Sequence, residues 1–431
     1  MALTARAGLL ALAGVLVVAL AWPSATGVLV VSGLVVALAL LDVALAPSVR
    51  RLALARSGDA SVRLGEPAVV RLAMRNDGDR TVRGALRDAW PPSAGAAAQR
   101  HRLRVPPGEV RTVEAHLRPT RRGDRYAART TVRALGPLGL AGRQGSHDVP
   151  WRLRVLPPFA SRRHLPAALA RLREVDGSTA VNVRGQGTEF DALRDWVEGD
   201  DVRSIDWRAT ARRREVVVRT WRPERDRHVL LVLDTSRTAA GRVGDAPRLD
   251  AALDAALLLA ALAARAGDRV DLLAFDRRVR ADVRGETGAA LLPALVQAMA
   301  PLEAELVEAD WRALSAAVLA RARRRSLVVL LTGLDPAPVQ EGLLPVLGGL
   351  AARHQLLVAA VADPRVEELA AARGDAASVY GAAAAERARL DRARTSALLR
   401  RRGVEVLDAP PERLPPALVD RYLDLKAAGR L

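Results

Sequence analysis

From residue 7 to residue 41 the chain carries no charged side chain, and the only break in this apolar run is Trp22-Pro23-Ser24-Ala25-Thr26-Gly27. A single helix of that length would extend about 50 Å at ~1.5 Å per residue, well past a hydrocarbon core of roughly 30 Å. Two membrane spans joined by a tight turn fit better. The pattern predicts a transmembrane helical hairpin over residues 1–50, with spans at about 3–22 and 27–45 and with Pro23 and Gly27 interrupting the helix. Arg6 flanks one end and Arg50, Arg51 and Arg56 the other, while the turn carries no charge. The positive-inside rule then puts both ends in the cytoplasm, so the expected location is a cell membrane with the soluble domains facing the cytoplasm. A cleaved signal peptide, with Arg6 as its basic start, is the rival reading. Its uncharged stretch would be unusually long, and arginines would follow the exported boundary. Asp42 reads as a solvated flank of the second span rather than an intramembrane site.

At 431 residues the remainder is long enough for two or three domains. The net charge of +18 comes almost wholly from arginine, since Lys426 is the single lysine. These arginines are spread along an Ala-, Arg- and Leu-heavy chain of the kind a GC-rich, actinobacterial-like genome produces. Aromatic residues make up only 3%, which leaves few stacking platforms, so no nucleic-acid partner is expected. The absence of cysteine excludes disulfides, zinc-thiolate sites and thiol nucleophiles.

Residues 51–163 change to short alternating segments at 60–64, 68–74, 81–86, 101–105, 110–117 and 125–135. Gly65-Glu66-Pro67, Asn76-Asp77-Gly78-Asp79 and Pro106-Pro107-Gly108 supply the turns between them. This is the pattern of an antiparallel β-sandwich, suited to spacing or partner contact rather than catalysis.

A linking segment, residues 164–227, follows. It contains Gly185, Gly187, Glu189 and Phe190, then Leu193-Arg194, Gly199-Asp200, Arg203, Ile205-Asp206-Trp207 and Thr210-Ala211-Arg212. The glycine pair lacks the third glycine of a dinucleotide fingerprint. Taken together these residues closely resemble the signature of the bacterial domain of unknown function 58 family, with Trp196 where a tyrosine is more usual. The layout resembles it too, including Arg121-Arg122-Gly123 and the Pro-Leu-Gly-Leu stretch at 137–140. The resemblance implies a membrane-anchored protein whose relatives are often encoded beside MoxR-type AAA+ ATPases, and it implies no known reaction. Physically, Glu189, Arg194, Asp200, Arg203, Asp206 and Arg212 are expected to form a paired network, with Trp196 and Trp207 as packing anchors. A recognition surface or a catalytic carboxylate pair is the competing reading.

Residues 228–431 alternate apolar strands with helices, the pattern of a three-layer, Rossmann-like α/β domain with a mainly parallel sheet. After the first strand, 228–233, comes Asp234-Thr235-Ser236-Arg237-Thr238. Asp234, Ser236 and Thr238 resemble the metal-ion-dependent adhesion site of von Willebrand factor A domains, and one carboxylate with two hydroxyls suits Mg²⁺. The match is partial: residues 307–311 offer Glu308 and Asp310 but no threonine, and the usual Thr-Asp is Thr332-Gly333, with an acid only at Asp335. The expected fold is therefore a von Willebrand factor A-like domain presenting Asp234 at an open sheet rim. A haloacid-dehalogenase nucleophile would need a second aspartate where Ser236 stands, and Ser236 lacks a Gly-x-Ser-x-Gly elbow. The leading expectation is a non-enzymatic binding or assembly module that recruits a MoxR-type AAA+ ATPase. The alternative is a metal-dependent, phosphatase-like hydrolase on Asp234, with Glu189, Asp200 or Asp206 as supporting acids.

Overall fold

Pro23 ends the first apolar helix and Ser24 caps the second. In the computed structural model, which describes residues 2–182, 189–197, 200, 202–222 and 227–431, α1 spans Ala5–Ala21 and α2 spans Ala25–Leu45. The Gly27 amide donates to the Ser24 hydroxyl at 3.1 Å, so Gly27 lies in the first turn of α2 and does not interrupt it. Leu3, expected inside the first span, belongs instead to β1 (Ala2–Leu3). Among the described residues, the helical stretch Ala25–Arg51 is the one long and apolar enough to cross a membrane, and α1 is a shorter apolar helix.

The chain divides into two compact units, Met1–Pro158 and Phe159–Leu431. The helical turn Ala160–His164, expected with the middle region to residue 163, thus falls in the second unit.

In the first unit the strands are β2 (Leu52–Gly58), β3 (Ser61–Arg63), β4 (Ala68–Asn76), β5 (Val82–Asp88), β6 (Arg100–Val105), β7 (Val110–Leu117), β8 (Gly123–Tyr126), β9 (Thr130–Leu135), β10 (Ala141–His147) and β11 (Arg152–Leu156). They form sheets ordered β1-β10-β9-β5-β6, β2-β4-β7 and β3-β11-β8. Alternation in β4 buries Ala68, Val70, Leu72, Met74 and Asn76. Leu72 and Met74 pack with Val82, Leu86, Leu103 and Val132, while Val70 packs with Trp90, Leu117, Leu153 and Val155. The stretch 125–135, read as one strand, is two, β8 and β9, in different sheets.

Two charged residues sit elsewhere than the sequence suggests. Asp42 is not a solvated flank: it is 0% exposed, and its carboxylate accepts the amides of Leu138, Leu140 and Ala141 at 2.7, 2.7 and 2.8 Å. A buried carboxylate is tolerated when backbone donors surround it, and here they fasten the end of α2 to the 137–141 loop. Arg56 is not a membrane-flanking charge either. Its side chain is 1% exposed, pairs with Asp88 at 2.5 Å and stacks over Trp90.

The second unit begins with α3 (Leu165–Asn182), an arm of β12 (Glu189–Asp195), α4 (Trp207–Arg213) and β13 (Val217–Arg222), and then β14 (His228–Asp234). There follow α5 (Arg237–Ala240), the short pair β15 (Arg242–Val243) and β16 (Ala246–Pro247), α6 (Arg248–Arg265), β17 (Arg269–Phe275), β18 (Val279–Val283), α7 (Gly288–Met299), α8 (Trp311–Arg321) and β19 (Leu327–Leu331). The chain ends with α9 (Leu344–Ala351), β20 (Gln355–Val361), α10 (Pro364–Ala371), α11 (Ala376–Arg401), β21 (Glu405–Ala409) and α12 (Leu414–Ala427). The main sheet runs β18-β17-β14-β19-β20-β21, parallel except for the edge strand β18.

Strands β14, β19 and β20 are apolar almost throughout because both faces are covered. Leu230 and Val232 face α8 and α9 through Trp311, Leu314, Val318 and Leu347. On the other face lies α6, whose Leu and Ala side chains are buried all round. Counted along the chain, the strand order is 3-2-1-4-5-6, so the order reverses between β14 and β19. Doubly wound sheets hold their ligands beyond the carboxyl ends of the strands at such a reversal.

Candidate functional site

Asp234 is the last residue of β14, level with Phe275 of β17, and Thr332 follows the end of β19 on the other side. The aspartate therefore stands at the point of reversal. Its Oδ1 accepts the Ser236 amide at 2.8 Å, and its Oδ2 accepts the hydroxyls of Thr238 and Thr332, each at 2.5 Å. The Ser236 and Thr238 hydroxyls are 3.3 Å apart. Hydrogen bonds to an ionised carboxylate are roughly twice as strong as neutral ones, so this knot fixes the start of α5 and the β19 loop together.

The expected open rim is not what forms. Asp234 is 2% exposed and Ser236 1%, and both carboxylate oxygens are occupied by internal donors. The physical reason is local: the turn after β14 folds the Ser236 amide and the Thr238 hydroxyl back onto Asp234, and the Thr332 hydroxyl joins them from the end of β19.

Of the acids considered beside it, Glu308 pairs with Arg237 at 2.5 Å, and Asp310 caps α8 by accepting the Ala313 amide at 2.9 Å. Asp335 approaches from the β19 loop. A side chain at Gly333 would meet Asp335 Oδ2 at 2.7 Å and Thr238 Cβ at 3.2 Å, so glycine is what lets these two groups close on one another. The Asp335 carboxylate is 3.5 Å from Arg248. Among the described residues no three His, Asp or Glu side chains gather into a metal-binding group. The donors at Asp234 are nonetheless hard oxygens, and the hydroxyls of Ser236, Thr238 and Thr332 keep lone pairs after donating their protons, which suits Mg²⁺ in kind.

Sequence reasoning passed over Thr332 as a site residue and missed Asp276 altogether. Asp276 follows β17 as Asp234 closes β14, and it accepts the Thr235 hydroxyl at 3.2 Å and the Arg277 amide at 2.6 Å. Arg280 lies 3.5 Å from Asp276 and 2.8 Å from Glu305. The signal was available: an aspartate closing an apolar strand occurs twice.

The arm contains most of the remaining signature. Gly185, Gly187 and Gly199 lie outside the described residues, as do the side chains of Glu189 and Phe190. Arg194 and Asp200 form a bidentate pair at 2.7 and 2.5 Å, and the Val197 amide adds a third bond to Asp200 at 3.0 Å. The Arg194 guanidinium holds the Asp200 carboxyl below its ordinary range. Asp206 caps α4 through the Arg208 and Ala209 amides at 3.0 Å each. Arg212 is exposed, and Arg203 lies in the turn before Ile205. Asp200 and Asp206 are thus committed to local structure. The tryptophans are not packing anchors: Trp207 is 67% exposed and Trp196 39%. Among its described residues the short arm buries Val217 and Val218 instead.

Residues 192–404 match the family described as protein of unknown function DUF58. The chain belongs to the DUF58 family. Its curated relatives include proteins of Mycobacterium bovis and Mycobacterium tuberculosis, each described as uncharacterized and each 29% identical over 190 residues. The match takes in 43% of this chain and spans 59% of the relatives' length. Among solved structures, the CARDB domain of a Pyrococcus furiosus protein aligns with 26% of this DUF58 chain and 89% of its own, at 15% identity and a TM-score of 0.19. A β-glucosidase of Erythrobacter marinus aligns with 25% of the chain and 15% of its own, at 18% identity and a TM-score of 0.17. Scores this low carry no argument about fold or function.

Proposed function

We propose that this chain is a membrane-anchored binding or assembly module that recruits a cytoplasmic protein partner through the arm of its second unit. The observation carrying this reading is the apolar surface of that arm, where Trp196, Val197, Val202 and Trp207 are all exposed. Clustered exposed apolar side chains mark interaction sites, and tryptophan is prominent among residues that dominate binding energy. The family resemblance makes a MoxR-type AAA+ ATPase the first partner to try.

Reading the second unit as a von Willebrand factor A-like domain is supported by the 3-2-1-4-5-6 order with its antiparallel edge strand and by Asp234, Ser236 and Thr238 after the first parallel strand. With Thr332, these residues would hold Mg²⁺, which when bound would offer a coordination position to a partner's carboxylate. Two membrane crossings are supported by the outward-facing apolar side chains of α1 and α2. They are supported too by β1, which pairs with β10 and so keeps the start of α1 beside the end of α2. The flanking arginines favour the cytoplasmic side.

The test uses the full-length chain solubilised in detergent and a purified MoxR-type ATPase. Capture of the ATPase, lost in the Trp196→Ser/Trp207→Ser variant and unaccompanied by phosphatase turnover, is the expected result. Mg²⁺-dependent phosphatase activity abolished by Asp234→Ala would replace this reading with the hydrolase one.

A further inference from the structure

The outward face of the sheet β1-β10-β9-β5-β6 carries arginines with no carboxylate to answer them. Alternation turns Val82 and Leu86 of β5 inward and Arg83, Ala85 and Arg87 outward. On β6 it turns Leu103 and Val105 inward and Arg100, Arg102 and Arg104 outward, and β9 adds Arg133. Register sets Arg83 directly opposite Arg104 and Arg87 opposite Arg100, while Ala85 lies between Arg102 and Arg133. With strands about 4.8 Å apart, those last two flank the small alanine at roughly 10 Å, a gap that accepts a phosphate group.

Arg133 reaches the neutral Gln144 side chain at 3.1 Å, and the other five arginines have no ion-pair partner among the described residues. The single carboxylate on these strands is Asp88, which is buried against Arg56. Like charges directly opposite one another destabilise a strand pair. A bound anion would remove that strain.

We propose that this face binds the phosphate headgroups of anionic lipids beside the two apolar helices, a proposal that rests on the membrane reading given above. Continuity within the first unit carries it. The edge strand β1 of this same sheet runs directly into α1. The end of α2 is fixed to the sheet by Arg143, which donates to the Val43 and Ala44 carbonyls at 3.1 and 3.3 Å. Arg80 donates to the Leu45 carbonyl at 2.9 Å, and Arg83 follows three residues later. The row Arg83–Arg104 therefore begins at the end of the sheet where the helices leave, within reach of the surface potential of an anionic leaflet. Nucleic acid is the less favoured polyanion, because β5, β6, β9 and β10 carry no Phe, Tyr or Trp on which a base would stack.

Native mass spectrometry of the full-length chain, released from detergent after incubation with equal phosphatidylglycerol and phosphatidylcholine, reads the proposal directly. Wild type retains phosphatidylglycerol preferentially, and the preference falls about fivefold for each arginine neutralised in the Arg83→Gln/Arg102→Gln/Arg104→Gln variant. The corresponding triple lysine variant keeps it, and the glutamine variant melts higher than wild type in a zwitterionic detergent because the repulsion between Arg83 and Arg104 is gone. Equal retention of the two lipids by wild type overturns the proposal, as does displacement of phosphatidylglycerol by a short DNA duplex at lower concentration than by free lipid. Alkaline extraction of membranes separates the two readings. Release of the chain defeats the membrane reading itself, whereas resistance with equal lipid retention defeats this proposal alone.

Discussion

Asp234 closes β14 with both carboxylate oxygens accepting hydrogen bonds. Its three donors, the Ser236 amide and the Thr238 and Thr332 hydroxyls, lose their acceptor in Asp234→Ala. Each buried donor left unsatisfied costs on the order of 1–3 kcal/mol, so the variant should melt several degrees below wild type, with Asp234→Asn intermediate because one oxygen remains. If Mg²⁺ binds here, adding it raises the melting temperature of wild type by mass action and leaves that of Ser236→Ala/Thr238→Ala unmoved. A thermal shift without Mg²⁺ dependence would assign the cluster to structure alone. His354 gives a pH signature. It is buried, both ring nitrogens lack a hydrogen-bond partner among the described residues, and burial, with Arg353 and His228, holds its imidazole below the ordinary range. A depressed native value means that the unfolded chain takes up the proton first as pH falls below about 6.5. Its stabilising contribution is therefore full above that pH and is lost on acidification. Thermal melts at pH 7.5 and pH 5 should separate less in His354→Leu than in wild type, and an equal separation would exclude the imidazole as the cause.

At the scale of elements, the arm β12–α4–β13 and the end of α2 carry the testable claims. Trp207→Ser should leave stability within roughly 0.5 kcal/mol of wild type, because an exposed ring has little packing to lose, while reducing partner capture. Comparable losses of melting temperature and binding would mean that the indole packs after all. The sequence made the α/β elements legible because their patterns are one-dimensional. Within residues 228–431, the apolar runs that end at Phe275, Leu331 and Val361 mark β17, β19 and β20. Four strands of the first unit, β1, β2, β10 and β11, fall outside the segments that the sequence marks as strands, although β11 alternates Arg152, Leu153, Arg154 and Val155. In Ala141–His147 the side chains are small or polar, and its strand character comes from pairing with β9 and β1, which is a tertiary fact. Likewise, nothing within residues 25–45 announces that Asp42 will meet amides about a hundred residues away. The partial metal motif was readable, but the closure of its hydroxyls onto Asp234 depended on Thr332 arriving from another strand.

For the molecule as a whole, the decisive question is whether α1 and α2 cross a membrane and, if they do, which side each unit occupies, and the chain's composition makes that question clean to ask. It has no cysteine, so each introduced thiol is the only one present. Ala25 is the first residue of α2, next to the turn between the apolar helices, Ser57 lies on β2 of the first unit and Ala384 on α11 of the second, all three exposed. If α1 and α2 cross twice with the arginine-bearing ends inward, a membrane-impermeant maleimide labels Ala25→Cys in intact cells. Ser57→Cys and Ala384→Cys then react only after the inner membrane is opened. The argument for that outcome is the pairing of β1 with β10, which holds the chain's start and the β-sheets at one end of the helical pair, so that the turn at 22–24 must lie at the other. Labelling of Ala384→Cys from outside would remove any cytoplasmic ATPase from the list of partners. Protection of all three sites would mean that the turn does not reach the far surface, and that α1 and α2 pack within one leaflet.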